Sequence, residues 1–468
     1  MTAVSNSIVH HSRPRPWAVE LRALVTLAGP LAATQLAQMA VMTTDVLLLG
    51  RFSRGALAAA AIGNTVYFFA WLIGGGPASA VSPMIAQSLG ARPRARGGVR
   101  ASLRMGLWAI GLTSAPMMAM LWSARPILVA LGQDPALSAD AGRFVFMLSF
   151  GLPFSLGYRV LQNFATALDR PRAGLWVMAA TIAFNALAGW TLIFGHFGAP
   201  RLGIVGSGIA TSASAIFSFV AMLAIVQATP TLRVYRMFRR FHRPVMAKLL
   251  EVFHLGLPIG MTMIFEAMMF NSMTLLMGRF GAASLAAHQI ALNLASITFM
   301  IPLGIGMAAT VRVGLAAGAG DKASARRAGE VALALAAGFA VVCGLTMAVF
   351  GGQIAGLYLG GRSTADLEVI ALSALFLKVA AAFQLFDSLQ VVGVLSLRGL
   401  KDARMPMILA AGAYWLIGAP ACVALGLGLH LQGLGIWIGL AIGLAAAAIV
   451  MCARFFALTR RAPIKSLA

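Results

Sequence analysis

Acidic residues are scarce in this chain. It holds 13 Asp and Glu among 468 residues, against 36 Lys and Arg. Charge of either sign makes up 10% of the residues, where a soluble domain carries about a quarter. With 60% hydrophobic residues and a mean hydropathy of +0.87, too little polar surface remains to cover a water-soluble globule. Cysteine is nearly absent. Cys343, Cys422 and Cys452 each sit in an apolar run, and no pair has metal-ligand spacing. That excludes a disulfide framework and a zinc site, and predicts three free, buried thiols. The N-terminal stretch MTAVSNSIVHHSRPRPW lacks an apolar h-region before the first long apolar run, so no cleavable signal is expected. No nucleophile motif, phosphate loop or zinc pattern occurs, so the chain reads as neither an enzyme nor a holder of a cofactor. Gly74-Gly75-Gly76-Pro77 reads as a hinge or a close helix contact.

Long apolar stretches are abundant. They recur at about 24–49, 57–86, 101–122, 139–162, 174–195, 203–227, 251–277, 284–316, 329–350, 366–394, 406–428 and 434–456. A membrane helix needs about 20 apolar residues, so the pattern predicts an all-α integral membrane protein with twelve transmembrane helices. Several stretches exceed that length, which predicts tilt, kinks or ends projecting past the bilayer.

The basic excess of +23 is spread over short connectors. The N-terminus, the loops after even-numbered spans and the C-terminus carry 26 Lys and Arg; the loops after odd-numbered spans carry 7. The richest connectors are GARPRARGGVR and TLRVYRMFRRFHRPVMAK. The imbalance predicts that both termini are cytoplasmic. It also removes nucleic acid as a partner, because no separate basic domain exists.

The chain repeats itself. Pro30 matches Pro258, Gly50-Arg51-Phe52 matches Gly278-Arg279-Phe280, and Leu161-Gln162 matches Leu389-Gln390, each at an offset of 228. Gly206 and Ala210 pair with Gly435 and Gly439 at 229. The halves, residues 1–228 and 229–468, are expected to form an N-terminal and a C-terminal lobe of six helices each. An even number of spans gives both halves the same orientation, so the repeat is parallel. Transporters use such halves around a central site, and a duplicated channel or membrane enzyme shares the pattern.

Charge inside a bilayer costs about 2.5–3.5 kcal/mol even on the lenient insertion scale. Ten of the acids sit in loops or near helix ends, Glu20 and Asp402 among them. Asp45, Glu266 and Asp387 are left inside spans 1, 7 and 10. Glu266 lies eight residues beyond Pro258, roughly 12 Å along a helix. Phe383, Gln384, Asp387 and Gln390 share one helical face. Two carboxylates in one half suit Na⁺, which prefers oxygen ligands. Burial favours the neutral form of a carboxylate, so the pair suits proton carriage as well. Pairing with Lys378 or Arg159 is the structural alternative. Asp45 either forms a site with Asn185 of span 5 or pairs, near a helix end, with Arg51 or Arg54. Six methionines crowd span 7, where flexible thioethers suit varied ligands but ordinary packing explains most of them. His288-Gln289 opens span 8 and reads first as hydrogen-bonded structure.

Five segments, in order, resemble the multidrug and toxic-compound extrusion (MATE) family, in its NorM-type branch. They are GHFGAPRLGIVGSGIAT (195–211), GLPIGMTMIFEAMMF (256–270), AAHQIALN (286–293), TVRVG (310–314) and FDSLQVVGVLSLRGLKD (386–402). The resemblance covers nearly the whole chain. It implies two pseudo-symmetric six-helix bundles in a V, of the MATE/MOP-like fold, in a bacterial cytoplasmic (inner) membrane, as a monomer among lipid. It implies export of small-molecule organic cations and amphiphilic drugs in exchange for Na⁺ or H⁺. By motif, Glu266 and Asp387 match the acids of the C-lobe cation site, and Asp45 and Asn185 match the polar residues of the N-lobe. Gln289, Phe383 and Gln384 are then expected to line the cavity. Two positions depart from the pattern. Phe383 stands where similar proteins carry Tyr, which keeps a π face but loses a hydroxyl ligand. Gly189 stands where a second Asn is found. A flippase for a lipid-linked saccharide is the alternative within the superfamily; it is expected to offer cationic residues for pyrophosphate.

Overall fold

The computed structural model describes residues 16–91, 96–359 and 363–460. Residues 1–15 of the N-terminal stretch, Arg92 and Arg94 of the first basic connector, and Arg461 and Lys465 lie outside the described residues. Among those described, eleven helices are long and apolar enough to cross a membrane, and a bent pair supplies a twelfth. The spans are Trp17–Phe52, Arg54–Ala91, Arg96–Trp122, Pro135–Ser149 with Leu152–Ala167, Arg172–Phe194, Ile204–Ala228, Met246–Met277, Ala282–Gly318, Lys322–Tyr358, Thr364–Gly399, Arg404–Gly428 and Gln432–Leu458, numbered 1 to 12.

The helices outrun the apolar stretches because polar residues extend and cap them. Asp321 caps span 9 by accepting from the Ser324 amide at 2.9 Å. Ser363 and Asp366 close a reciprocal capping box on span 10. Span 4 is the exception to a single helix. It bends by 44° between Ser149 and Leu152, with Pro153 in the first turn of the second piece. Proline has no amide proton to continue the ladder. The Gly151 amide at the bend donates to the Leu148 carbonyl and to Ser212 Oγ, both at 3.1 Å.

Large apolar side chains stay uncovered along the spans: Leu275 is 79% exposed, Leu357 87% and Leu416 78%. In water such exposure drives association; in lipid it costs nothing, so the fold is packed for a bilayer. All three cysteines are free, but only Cys422 is buried, and Cys343 and Cys452 are half-buried. Cys343 and Cys452 lie on helix faces that the rest of the chain leaves partly uncovered.

The chain forms two compact units: Met1–Ala32 with Ala86–Arg92 and Thr262–Ala468, and Ala33–Ile85 with Pro93–Met261. This partition differs from a cut at residue 228. Spans 1, 2 and 7 each change unit two or three residues after a proline, Pro30, Pro83 and Pro258. Proline loosens a helix at that point, and Pro30 and Pro258 are repeat mates.

Within each unit glycines set the helix crossings. In the second unit a Cβ on Gly76 would strike the Gly256 carbonyl of span 7. The Gly74-Gly75-Gly76 run is therefore a close helix contact. The repeat mates Gly206 and Gly435 do equivalent work in the two units, pressing on Leu192 of span 5 and Leu425 of span 11. Gly76→Val is expected to force spans 2 and 7 apart and lower the yield of monodisperse protein sharply, read by gel filtration. Wild-type yield and unfolding temperature would show that the backbone yields there.

The basic connector after span 6 folds onto span 3. Arg100 Nε donates to the Tyr235 carbonyl at 2.6 Å and Trp108 Nε1 to Phe241 at 3.0 Å. Arg104 donates to the carbonyls of Arg239 and Arg243.

Candidate functional site

Span 10 brings the first site together. Asp387 is 4% exposed and Gln384 is fully buried, with Ser388 and Gln390 beside them on the same helix. A buried carboxylate or amide is normally hydrogen-bonded. Here Asp387 Oδ1, both amide atoms of Gln384 and Gln390 Oε1 are buried with no partner. Glu266 on span 7 is half-buried and close enough to Asp387 for the two charges to repel. Neither acid forms an ion pair among the described residues, and Lys378 is exposed. Arg398, in the last turn of span 10, lies within electrostatic range of Glu266.

Tyr414 completes the cluster. It is 1% exposed, lies within electrostatic range of Glu266, Asp387 and Arg398, and leaves its hydroxyl unpartnered. It sits in a π-helical segment, Gly412–Gly418, inside span 11. One extra residue per turn rotates side chains off the α-helical face, and such segments recur at functional sites. The hydroxyl lost by having Phe at 383 is thus present nearby on another helix.

Phe383 itself is closed in. It is 1% exposed, 5.4 Å from the Trp437 ring and 6.0 Å from Phe270, both edge-on. Phe383 is thus packed edge-on among aromatic rings beside the acids. Gln384 and Asn185 are likewise fully buried, while Gln289 is exposed. His288 is fully buried, with Nε2 3.0 Å from Thr274 Oγ1 and its ring 5.6 Å from Trp437. In span 7, Met269, Met273 and Met277 are core residues at 2%, 5% and 0% exposure, and Met261 and Met268 face outward.

The second site lies in the other unit. Asp45 Oδ1 accepts from Asn185 Nδ2 at 3.2 Å and Oδ2 from Thr211 Oγ1 at 2.8 Å. The pairing of Asp45 with Asn185 forms across 140 residues. Arg51 and Arg54 make no ion pair with it among the described residues. Gly189, the departure noted above, leaves room that the Leu48 side chain takes. Where Asp45 is fully engaged by neutral donors, Asp387 is left open. The first site has spare ligands, namely two carboxylates, an amide oxygen and a phenol. That is an oxygen-only donor set, suited to a hard monovalent cation with water or to a proton.

Tyr414 and Thr211 were not singled out from the sequence. Thr211 closes the GHFGAPRLGIVGSGIAT segment, which held a signal. Tyr414 sits in an apolar run where no period marks it.

Comparison with known proteins agrees with this architecture. The MatE family pattern matches residues 30–191 and 258–424. A protein of Mesorhizobium japonicum named "Probable multidrug resistance protein NorM" is 42% identical over 448 residues, covering 96% of each chain. The crystal structure of the eukaryotic MATE transporter AtDTX14 superposes with a TM-score of 0.81 at 22% identity, over 93% of this chain and 95% of that one. A MOP superfamily transporter from Pyrococcus furiosus, described as having a binding pocket of reverse polarity that suggests a different function, superposes at 0.83 with 18% identity, over 96% of this chain and all of that one. At such identity the two structures share the fold, and function has to be argued from the site. The family match and the full-length relatives show that this chain belongs to the MatE family of membrane transporters, in its NorM-type branch, and is not an enzyme.

Proposed function

We propose that this chain is a secondary active multidrug exporter. It exchanges organic cations and amphiphilic drugs for Na⁺ or H⁺ by alternating access across a bacterial cytoplasmic membrane, with both termini inside. The observation that carries the reading is the set of buried, unpartnered polar atoms around Asp387 and Tyr414. A desolvated carboxylate without a partner is costly, and a bound cation or proton removes that cost. Na⁺ would be held by Asp387, Glu266, the Gln384 carbonyl oxygen and the Tyr414 hydroxyl; a proton would sit on either acid. Loading neutralises the cluster, which weakens the hold on a cationic drug, so the drug leaves on the side from which the ion came. By linkage, the drug weakens ion binding by the same factor.

The test is flux of ethidium in proteoliposomes under an imposed Na⁺ gradient and, separately, an imposed pH gradient. Flux driven by one gradient names the coupling ion. Flux driven by both means that the cluster accepts either ion. Flux driven by neither overturns the export reading and brings forward the lipid-linked saccharide flippase.

A further inference from the structure

The offset of 228 that aligns Leu161-Gln162 with Leu389-Gln390 also aligns Arg159 with Asp387. One repeat thus carries a buried cation where the other carries its open anion. Arg159 lies in the second piece of span 4 and is 8% exposed. Its guanidinium has five donor protons, yet Nε is buried and unpartnered. Among the described residues no carboxylate and no hydrogen-bond acceptor meets it. Asp45, the acid inside a span of the same unit, is occupied by Asn185 and Thr211. The contact Arg159 does make is with Trp71 of span 2, whose ring centroid is 5.0 Å from Cζ.

The surroundings are aromatic and half open. Tyr67 and Trp71, one turn apart on span 2, are both half-buried, and Phe68 between them is 40% exposed. Tyr67 lies within reach of the Ser155 side chain, one turn before Arg159. Asn163, one turn after, is already committed, donating to the Ala78 carbonyl at 2.9 Å. A ring covering one face of a guanidinium leaves its N–H edge for a planar acceptor. Water can fill those donors but does not neutralise the charge, and an unpaired buried charge is strongly disfavoured.

We propose that Arg159 is an anion-binding site of this unit, taking the carboxylate of an aromatic amphiphile whose rings lie along Trp71 and Tyr67. This rests on the export reading for its physiological role, though binding alone tests it.

The probe is a fluorescent xanthene dye that bears a free carboxylate, compared with the methyl ester of the same dye. Binding of each to the purified full-length protein is followed by fluorescence polarisation. Wild type is expected to bind the acid more tightly than the ester. Arg159→Gln is expected to weaken the acid about tenfold and move the ester by less than about twofold, since a charge-assisted hydrogen bond is lost only with the acid. Arg159→Lys keeps the charge without the fork and falls between. Equal losses for both dyes assign Arg159 to structure and overturn the site; so does an unchanged acid affinity. Should Arg159→Gln fail to fold, the wild-type ratio still decides, because an acid bound no better than its ester overturns the proposal. Gradient-driven flux of the ester by wild type separately reads the export function, so the two failures are distinguishable.

Discussion

Asp387→Asn is expected to abolish gradient-driven drug export while leaving the protein folded. The substitution keeps size and shape and removes only the charge. Two opposite charges about 4 Å apart interact by about 4 kcal/mol at an effective dielectric near 20. Losing that attraction lowers the affinity for a cation by about a thousandfold, at 1.4 kcal/mol per factor of ten. An amide takes up no proton at this position, and Glu266 alone is not expected to sustain the exchange, so the loss is expected with both coupling ions. Stability should not suffer, because Asp387 Oδ1 has no protein partner to lose and the variant no longer buries a lone charge. The check pairs ethidium flux in proteoliposomes with the unfolding temperature of the same preparation. Flux at the wild-type rate removes Asp387 from the coupling machinery. Loss of flux together with a collapsed unfolding temperature makes it structural.

Part of this site is legible in the sequence for a simple reason. Acids are rare, and an acid in the middle of an apolar run is costly, so Glu266 and Asp387 stand out without any structure. The same arithmetic marks Asp45, and its pairing with Asn185 follows because an amide inside a span seeks a partner. What stays hidden has no such cost. Tyr414 is one aromatic among many in apolar runs, and its aim depends on the π-helical turn of span 11, which no 3.6-residue periodicity foretells. Phe383 reads as a π face, and its edge-on packing with Trp437 and Phe270 shows only in the fold. The twelve spans follow from length and hydropathy, whereas the bend in span 4 depends on a single Pro153 after Gly151. The repeat offset locates sequence halves, but compact units form by contact, and three proline-bearing helices run between them.

The second large effect is on stability and concerns Glu20, which its sequence position near a helix end made unremarkable. Glu20 lies in the first turn of span 1 and is 3% exposed. Its two oxygens accept from Arg312 Nε at 2.8 Å and Nη2 at 2.6 Å, a bidentate pair across 292 residues. Arg312 belongs to the TVRVG segment of span 8, and its side chain is 18% exposed. The pair ties span 1 to span 8 within one compact unit. Glu20→Gln leaves a largely buried guanidinium without its counter-charge, and breaking a buried pair this way costs about 3–5 kcal/mol. Arg312→Lys should also lose much of that, since an ammonium cannot make the paired fork. The double variant Glu20→Leu with Arg312→Met removes both charges together, so it is expected to unfold at a higher temperature than either single variant. Unfolding temperatures of the four proteins in one detergent give the order: wild type and the double variant above, the two singles well below. If Glu20→Gln unfolds with the wild type, water reaches Arg312 readily and the pair contributes nothing. If the double variant is as poor as the singles, the two side chains act through packing rather than charge, because removing both charges at once would then have recovered nothing.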